Sequence, residues 1–320
     1  MNSKYCSRPF TEAYVGAKGE VCIPCNWCAG QRLVIGNLIQ DSFETIWNSQ
    51  IAKNLREDII KEKFECNVKT CQRNTSDKEN IVSQTYFRVE ALPPISVRLA
   101  TDFSCNLCCP SCRAHKIKSN PLASKIYDSL ILPREIKHLS IGLSGEVFAS
   151  PSTIKWLSNI NSELYPNLKI WLQTNGQLLF EKWDEIKSIH NMFEGIGISI
   201  DAATKRTYEK LRAGAKWEKI IQTMEFTKSL QKDKKLDCVD INFVVQRDNF
   251  REIPAFVELG VRWEVANIFF QRIRQFTQSP IDLLDVGNPN NPDYQDFTAI
   301  KDSFRNRQNS SPKITWDTFL

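Results

Sequence analysis

Eleven cysteines in 320 residues are the first chemical signal in this chain. Four of them, Cys105, Cys108, Cys109 and Cys112, fall within eight residues. Six more, Cys6, Cys22, Cys25, Cys28, Cys66 and Cys71, lie in the first quarter of the chain, and only Cys238 stands apart, as a residue for core packing. Thiolates at such density bind soft metals, and a reducing compartment disfavours pairing them as disulfides. The spacing Cys105-x3-Cys109-x2-Cys112 puts three thiolates on one short loop. Three thiolates can hold three irons of a [4Fe–4S] cube and leave the fourth iron open to a ligand. The rival is zinc, which takes four ligands, with Cys108 as the fourth. In the N-terminal group, Cys22, Cys25 and Cys28 form C-x2-C-x2-C, and Cys66 and Cys71 form C-x4-C.

Elements that would position these residues follow from the apolar pattern. Residues 1 to about 75 are loop-rich, with one helix: Asp41 or Ser42 caps it, Phe43, Ile46 and Trp47 share a face, and it runs on past Leu55. A polar linker spans Asn74–Asn80, and Leu92-Pro93-Pro94 closes the connection. From Ile95 the chain alternates strand and helix. The strands are Ile95–Ala100, His138–Gly142, Lys169–Gln173, Gly195–Ile200, Asp240–Val245 and Asn267–Ile273. Helices between and after them include Ser152–Leu164, Thr204–Leu211, Trp217–Leu230 and Phe250–Glu258. Six such units predict a parallel α/β fold, a partial (β/α)6 barrel, with ligands at the carboxyl ends of the strands. After Ser279 the chain reads as a cap or tail with one helix at Tyr294–Phe304. The expected organisation is a cysteine-rich module over 1–80, the α/β domain over 81–279 and the tail over 280–320.

Composition narrows the classes. Hydrophobic residues make up 42%, enough for a packed core. The formal charge of +5 comes from Lys and Arg scattered among acids, which gives no nucleic-acid footprint. Met1–Phe10 has no apolar core of signal-peptide length, and no apolar run has the ~18 residues of a membrane helix. The expectation is a soluble, cytoplasmic protein with no membrane partner.

Asp102-Phe103-Ser104-Cys105-Asn106-Leu107-Cys108-Cys109-Pro110-Ser111-Cys112 follows directly on the first of the six strands. That spacing, with Cys-Asn-Leu-x-Cys-Pro inside the run, resembles the radical S-adenosylmethionine (SAM) superfamily. Further motifs match in the same order. Ser144-Gly145-Glu146 after the second strand resembles Gly-Gly-Glu, with Ser144 in place of the first glycine. Thr174-Asn175-Gly176 ends the third strand. Ser199-Ile200-Asp201 ends the fourth, followed by Tyr208-x3-Arg212-x-Gly214. The resemblance implies a [4Fe–4S] cluster on Cys105, Cys109 and Cys112, with Cys108 a spare. SAM would bind its open iron, with Gly145 and Glu146 at the SAM ammonium, Thr174 and Asn175 at SAM or substrate, Ser199 and Arg212 at the SAM carboxylate, and Asp201 at the ribose or substrate. One electron, from a flavodoxin- or ferredoxin-type donor, would cleave SAM to a 5′-deoxyadenosyl radical that abstracts hydrogen. Each motif also has a plain reading: a Gly-Glu turn, an Asn-Gly turn, and Asp201 as a helix cap.

The N-terminal residues Cys6-x-x-Pro9-Phe10, Gly19-Glu20-Val21, Cys25, Ile35-Gly36-Asn37-Leu38, Ile46-Trp47-Asn48-Ser49, Cys66 and Cys71 resemble the SPASM or twitch auxiliary-cluster module. The resemblance implies one auxiliary cluster on Cys6, Cys25, Cys66 and Cys71, with Cys22 or Cys28 an alternative to Cys25, and zinc the rival metal. The implied activity is oxidation or rearrangement of a small-molecule or sugar-type substrate, with radical modification of a ribosomal peptide as the alternative. A non-enzymatic zinc or iron–sulfur protein is the alternative of another class. Two basic features remain. Arg113, His115, Lys116 and Lys118 follow the cysteine loop, where they would offset cluster charge, meet an anionic substrate or simply start a solvated helix. Arg272 and Arg274 share one face of the last strand and would suit a carboxylate or phosphate if that face points inward.

Overall fold

The computed structural model describes residues 6–24, 33–61, 63, 88–274, 281–304 and 311–317. Contacts divide the chain into two compact units. The first holds Met1–Phe103, Asn120–Gly145 and Pro151–Ile170; the second holds Ser104–Ser119, Glu146–Ser150 and Trp171–Leu320.

In the first unit, strands β1 (Glu12–Gly16), β2 (Glu20–Ile23), β3 (Leu33–Asn37), β4 (Ser96–Ala100) and β5 (His138–Ile141) form a sheet in the order β5-β4-β1-β2-β3. β5, β4 and β1 run parallel, while β2 and β3 continue as antiparallel neighbours. The pairing Val15↔Leu99 thus joins the cysteine-rich start of the chain to the first of the six expected strands. One helix was expected between Phe43 and Leu55, but two form, Phe43–Trp47 and Gln50–Ile60. Ser49 makes the break: its hydroxyl caps the Ala52 N–H and bonds the Ile35 carbonyl, so it serves as an N-cap in mid-run. Arg56 pins this helix pair. Fully buried, it donates to the Pro9 and Trp47 carbonyls at 2.8 and 2.7 Å and to Asn48 Oδ1 at 3.0 Å, and its guanidinium lies 4.6 Å from the Trp47 ring centre.

In the second unit, β7 (Phe193–Ser199), β8 (Cys238–Val245), β9 (Asn267–Arg272) and β10 (Lys313–Asp317) run parallel in sequence order. β6 (Lys169–Thr174) enters this unit at Trp171, beside β7. The two faces differ in chemistry because side chains alternate along each strand. Ile196, Ile198, Ile241, Phe243, Ile268 and Phe270 are buried on one face. Helices cover that face: Phe256 of Ile253–Arg262 packs edge-on against Phe243 and Phe270. The other face of β6–β9 carries Trp171, Gln173, Ser199, Asn242, Phe269 and Gln271, all half-buried. Gly195 and Gly197 make room there, since a Cβ would meet the Trp171 ring at 2.4 Å and Gln173 Oε1 at 2.4 Å.

The six expected strands are present as β4–β9, giving a mixed α/β fold of largely parallel strands. β10 adds one more where a tail was expected; Ile314 is buried and Trp316 stacks on Phe270 at 4.4 Å. Among the described residues no helix is long and apolar enough to cross a membrane.

Candidate functional site

The cysteine loop, residues 104–119, is held closed by its own backbone. Cys105 N–H donates to the Ile117 carbonyl at 2.9 Å, and the N–H groups of Cys112 and Arg113 both donate to the Cys109 carbonyl. Cys108 N–H ties the loop to the Ala213 carbonyl at 2.9 Å, beside the motif that carries Arg212. Cys109 is buried, Cys105 half-buried and Cys112 exposed.

The sulfurs fall into two classes. Cys105 Sγ accepts from Leu107 N–H at 3.4 Å and from Asn175 Nδ2 at 3.7 Å. Cys112 Sγ accepts from the Arg113 guanidinium at 3.5 Å, and Cys109 Sγ from that of Arg212 at 3.9 Å. Cys108 does the reverse: its thiol donates to the Arg113 carbonyl at 3.6 Å. Sulfurs that receive N–H donors are prepared to carry negative charge, and such donors are what tune cluster thiolates. Burial pushes the Cys105 and Cys109 thiols up, with Arg113 and Arg212, respectively, pulling them back. Metal ligation removes the thiol proton outright. Among the described residues no three His, Cys, Asp or Glu side chains converge on a single metal ion.

Glu146 stands beside this loop. It is 2% exposed, and its N–H donates to the Ser104 carbonyl at 2.7 Å. Its carboxylate accepts from Thr174 Oγ1 at 2.8 Å, Asn175 N–H at 2.7 Å and Phe148 N–H at 3.3 Å. Burial pushes this carboxyl up, and those donors pull it back. Asn175 also donates to Asn106 Oδ1 at 2.9 Å, so Glu146, Thr174, Asn175 and the cysteine loop share one hydrogen-bond network. Gly176 makes the turn at φ +75°, and Thr223 holds its carbonyl at 2.6 Å. Gly145 closes the Asn120–Gly145 segment of the first unit.

Asp201 and Arg212 form a buried ion pair at 2.7 Å. Asp201 sits at φ +67°, a conformation costly for a residue with a Cβ. It is held there from three sides: Val244 N–H reaches Oδ1 at 2.7 Å, Arg212 takes Oδ2, and Asn249 Nδ2 bonds its carbonyl at 2.9 Å. Burial opposes the Arg212 charge, but Asp201 and Cys109 hold its pKa above the ordinary arginine value. Arg212 Nε is buried without a hydrogen-bond partner among the described residues, so it has an N–H to offer a polar ligand. Ser199 Oγ accepts from Gln173 Nε2 at 2.9 Å, on the half-buried polar face.

The loop cysteines, Glu146, Thr174, Asn175, Asp201 and Arg212 all lie in the second unit, linked by the bonds just described. Asn106, Gln177, Gln173 and Asn249 were not singled out. Asn106 lies inside the cysteine motif and Gln177 directly after Thr174-Asn175-Gly176, so position in the motif was their signal. Gln177 bridges the Tyr208 hydroxyl at 2.9 Å and the Lys216 N–H at 2.7 Å. Two readings left open by the sequence are decided. Arg272 does not face the polar side of the sheet: it shares the helix-covered face with Phe270 and is held by Asp285 through bonds of 2.7–3.0 Å. Residues Arg113–Lys118 start no helix. Of the auxiliary ligand candidates, Cys6 is half-buried and Cys22 is buried on β2, while Cys25, Cys28, Cys66 and Cys71 lie outside the described residues.

Residues 6–73 match the family model SPASM, described as an iron–sulfur cluster-binding domain. No curated protein matches the chain in sequence. Similar solved structures include Streptococcus suis SuiB bound to its precursor peptide SuiA, at 12% identity over 99% of this chain and 72% of that one, with a TM-score of 0.49. They also include anSMEcpe with bound AdoMet and Kp18Cys peptide, at 21% identity over 70% and 64% of the two chains, TM-score 0.47. A third is a radical SAM methyltransferase from Sphaerobacter thermophilus, at 13% identity over 67% and 63%, TM-score 0.45. Residues 6–73 are thus similar to an iron–sulfur cluster-binding domain, and the similar solved structures include one described as a radical SAM methyltransferase.

Proposed function

We propose that the chain is a radical SAM enzyme whose reactive cluster is held by Cys105, Cys109 and Cys112. One observation carries this: three of the four loop sulfurs receive N–H donors, and the fourth, Cys108, spends its own proton on the Arg113 carbonyl. A four-thiolate zinc site would use all four sulfurs alike. When bound, the cluster and SAM would supply a 5′-deoxyadenosyl radical for hydrogen abstraction.

The chain's own residues would hold and orient. Glu146 offers a buried carboxylate to the SAM ammonium, on a turn that begins at Gly145. Its bonds to Thr174 and Asn175 fix its direction. Arg212 has one unpartnered N–H for the SAM carboxylate, with Ser199 the second residue of that role, and Asp201 keeps the guanidinium turned towards Cys109. The auxiliary set Cys6, Cys25, Cys66 and Cys71, with Cys22 or Cys28 as alternatives, belongs to the same proposal, supported by the domain match over 6–73.

For the substrate, the half-buried polar face gives direction. On β7–β9 it bears Ser199, Asp240, Asn242, Phe269, Asn267 and Gln271, and no cation among the described residues. An uncharged hydrogen-bonding group fits it better than a phosphate or carboxylate. Side-chain amides present a donor and an acceptor each, as a peptide group does. Modification of a peptide therefore stands level with oxidation or rearrangement of a small sugar-type molecule.

The test is anaerobic reconstitution with iron and sulfide. Two [4Fe–4S] clusters require about 8 irons per chain. Dithionite plus SAM should yield 5′-deoxyadenosine; Cys109→Ala should abolish it and Cys108→Ser should leave it intact. Zinc without sulfide, or equal loss in both variants, overturns the proposal.

A further inference from the structure

Four carboxylic acids are buried among the described residues, and three of them are matched. Asp201 pairs with Arg212, Asp285 with Arg272, and Glu146 takes three donors. Asp240 on β8 is the fourth. It is 4% exposed, and it is held by the uncharged Asn267, whose Nδ2 donates to Oδ1 at 2.7 Å. It forms no ion pair among the described residues. Burying a carboxylate is costly unless a cation or a full set of donors offsets the lost water. The surroundings of Asp240 favour positive charge as well. In register, Asp240 stands beside Gly197 of β7, and neighbouring strands lie about 4.8 Å apart. Gly197 leaves a gap on the half-buried face of the sheet. Where its Cβ would stand, Gln173 Oε1 is 2.4 Å away and Trp171 Cζ2 is 3.3 Å away. Gln173 turns its nitrogen to Ser199 Oγ at 2.9 Å and keeps its oxygen at the gap. The half-buried Trp171 ring extends on over Gly195. The neighbouring amides Asn267 and Asn242 already donate to the oxygens of Asp240 and Gln173. A carboxylate, an amide oxygen and an indole thus meet around one glycine. Oxygen acceptors and an aromatic ring are the groups that hold an ammonium or a guanidinium.

We propose that the Gly197 gap is a subsite for a positively charged group of the substrate, an ammonium or guanidinium seated by the Asp240 carboxylate, Gln173 Oε1 and the Trp171 indole. The subsite rests on the reading of this half-buried face as the one that meets substrate, and it adds the sign of the substrate's charge. A cation bound there supplies the partner that the other buried acids find within the chain. A lysine or arginine side chain of a peptide and the amine of an amino sugar share this chemistry. Burial raises the Asp240 carboxyl to about 6, so cation binding should weaken as pH falls through that value. Beside Asp240 on this face stand Ser199 of β7, Asn267 and Phe269 of β9, and Cys238 and Asn242 of β8. Of these only Cys238 titrates. Burial, then Asp240, Asp237 and Glu194, push its thiol up to about 11, so it stays protonated over the range in question.

The experiment uses the reconstituted full chain and saturation-transfer NMR with two pairs of probes. Acetyl-lysine amide is compared with neutral acetyl-norleucine amide, and glucosamine with glucose. At about pH 7 a cationic probe should bind about tenfold more tightly than its neutral counterpart. Preference in the first pair marks a peptide, and in the second an amino sugar. Most of that preference should be gone by about pH 5. Asp240→Asn should bring the ratio to within about twofold of one. This variant removes a buried charge without removing volume, so its effect is not one of unfolding. Trp171→Leu should lower the ratio about threefold. A ratio near one for both pairs in the unaltered chain overturns the proposal, and so does a ratio that either substitution leaves unchanged. Dithionite-driven SAM cleavage by the unaltered chain is assayed alongside. Its failure overturns the radical SAM reading, while the binding ratios still decide the subsite.

Discussion

Arg212→Met removes one half of the most consequential buried pair in the second unit. Its guanidinium makes a 2.7 Å bond to Asp201, whose side chain is 4% exposed, and reaches Cys109 Sγ at 3.9 Å. Methionine fills similar space but leaves the Asp201 carboxylate with one donor, Val244 N–H. Breaking a buried pair from one side costs about 3–5 kcal/mol, because the remaining charge stays desolvated. Protonation of Asp201, whose carboxyl burial already pushes up, caps that cost. Asp201→Asn leaves Arg212 with only the Cys109 sulfur and should cost about 2–4 kcal/mol. The double variant removes both charges, so the two losses should fail to add by about 2–3 kcal/mol. Urea unfolding of the metal-free chain under anaerobic conditions, followed by tryptophan fluorescence, gives all four corners of the cycle. A loss below about 1 kcal/mol for Arg212→Met, or simple additivity, would refute the reasoning.

Two further outcomes follow from buried groups. Burial raises the Asp240 carboxyl from 3.8 to about 6, against the pull of an Asn267 bond at 2.7 Å. Between those values the native state binds more protons than the unfolded one, so stability falls as pH rises through that window. Asp240→Asn should therefore stabilise the chain by up to about 3 kcal/mol above pH 6 and by little below pH 4; a benefit independent of pH would contradict this. Arg56 is held by four oxygen acceptors, and burial lowers its pKa to about 10. Arg56→Met orphans the Pro9 and Trp47 carbonyls and should cost about 3 kcal/mol or more, read as faster limited proteolysis between residues 8 and 60; unchanged cleavage would argue that those carbonyls find other partners.

The strands β4–β9 were legible because each is an apolar run bounded by polar turns, and their ends fall within a few residues of expectation. β8 begins at Cys238 rather than Asp240, and β6 runs to Thr174 rather than Gln173. β1–β3 were not legible. Their cysteines and glycines dilute the apolar pattern, and β1 is fixed by pairing with β4, some 80 residues away, a contact no local window contains. β10 was hidden in a polar tail, although Ile314 and Trp316 alternate with Lys313 and Thr315 as a half-buried strand must. In the site, the family motifs named Glu146, Asn175, Asp201 and Arg212, and the C-x3-C-x2-C spacing set Cys108 aside, but hydrogen-bond direction was invisible: no sequence pattern says that the Cys108 thiol donates while the neighbouring sulfurs accept.

Arg272 shows where pattern reading stops and what replaces it. Alternation puts it on the same face as Phe270, yet alternation carries no sign for inside and outside. That sign is set by what covers each face, here Phe256 against Phe270 and Asp285 against the Arg272 guanidinium. With Arg272 neutralised on the covered face, the polar face of β7–β9 keeps amides, a hydroxyl and the Asp240 carboxyl, and has no cation to select an anion. The same accounting applies to Arg212, matched by Asp201, and to Glu146, matched by three donors. At these three positions the buried charge is compensated by its immediate neighbours. Selection of an anionic substrate on this face would need a spare cation there, and β7–β9 place none on it. On β7–β9, recognition is therefore left to hydrogen bonds.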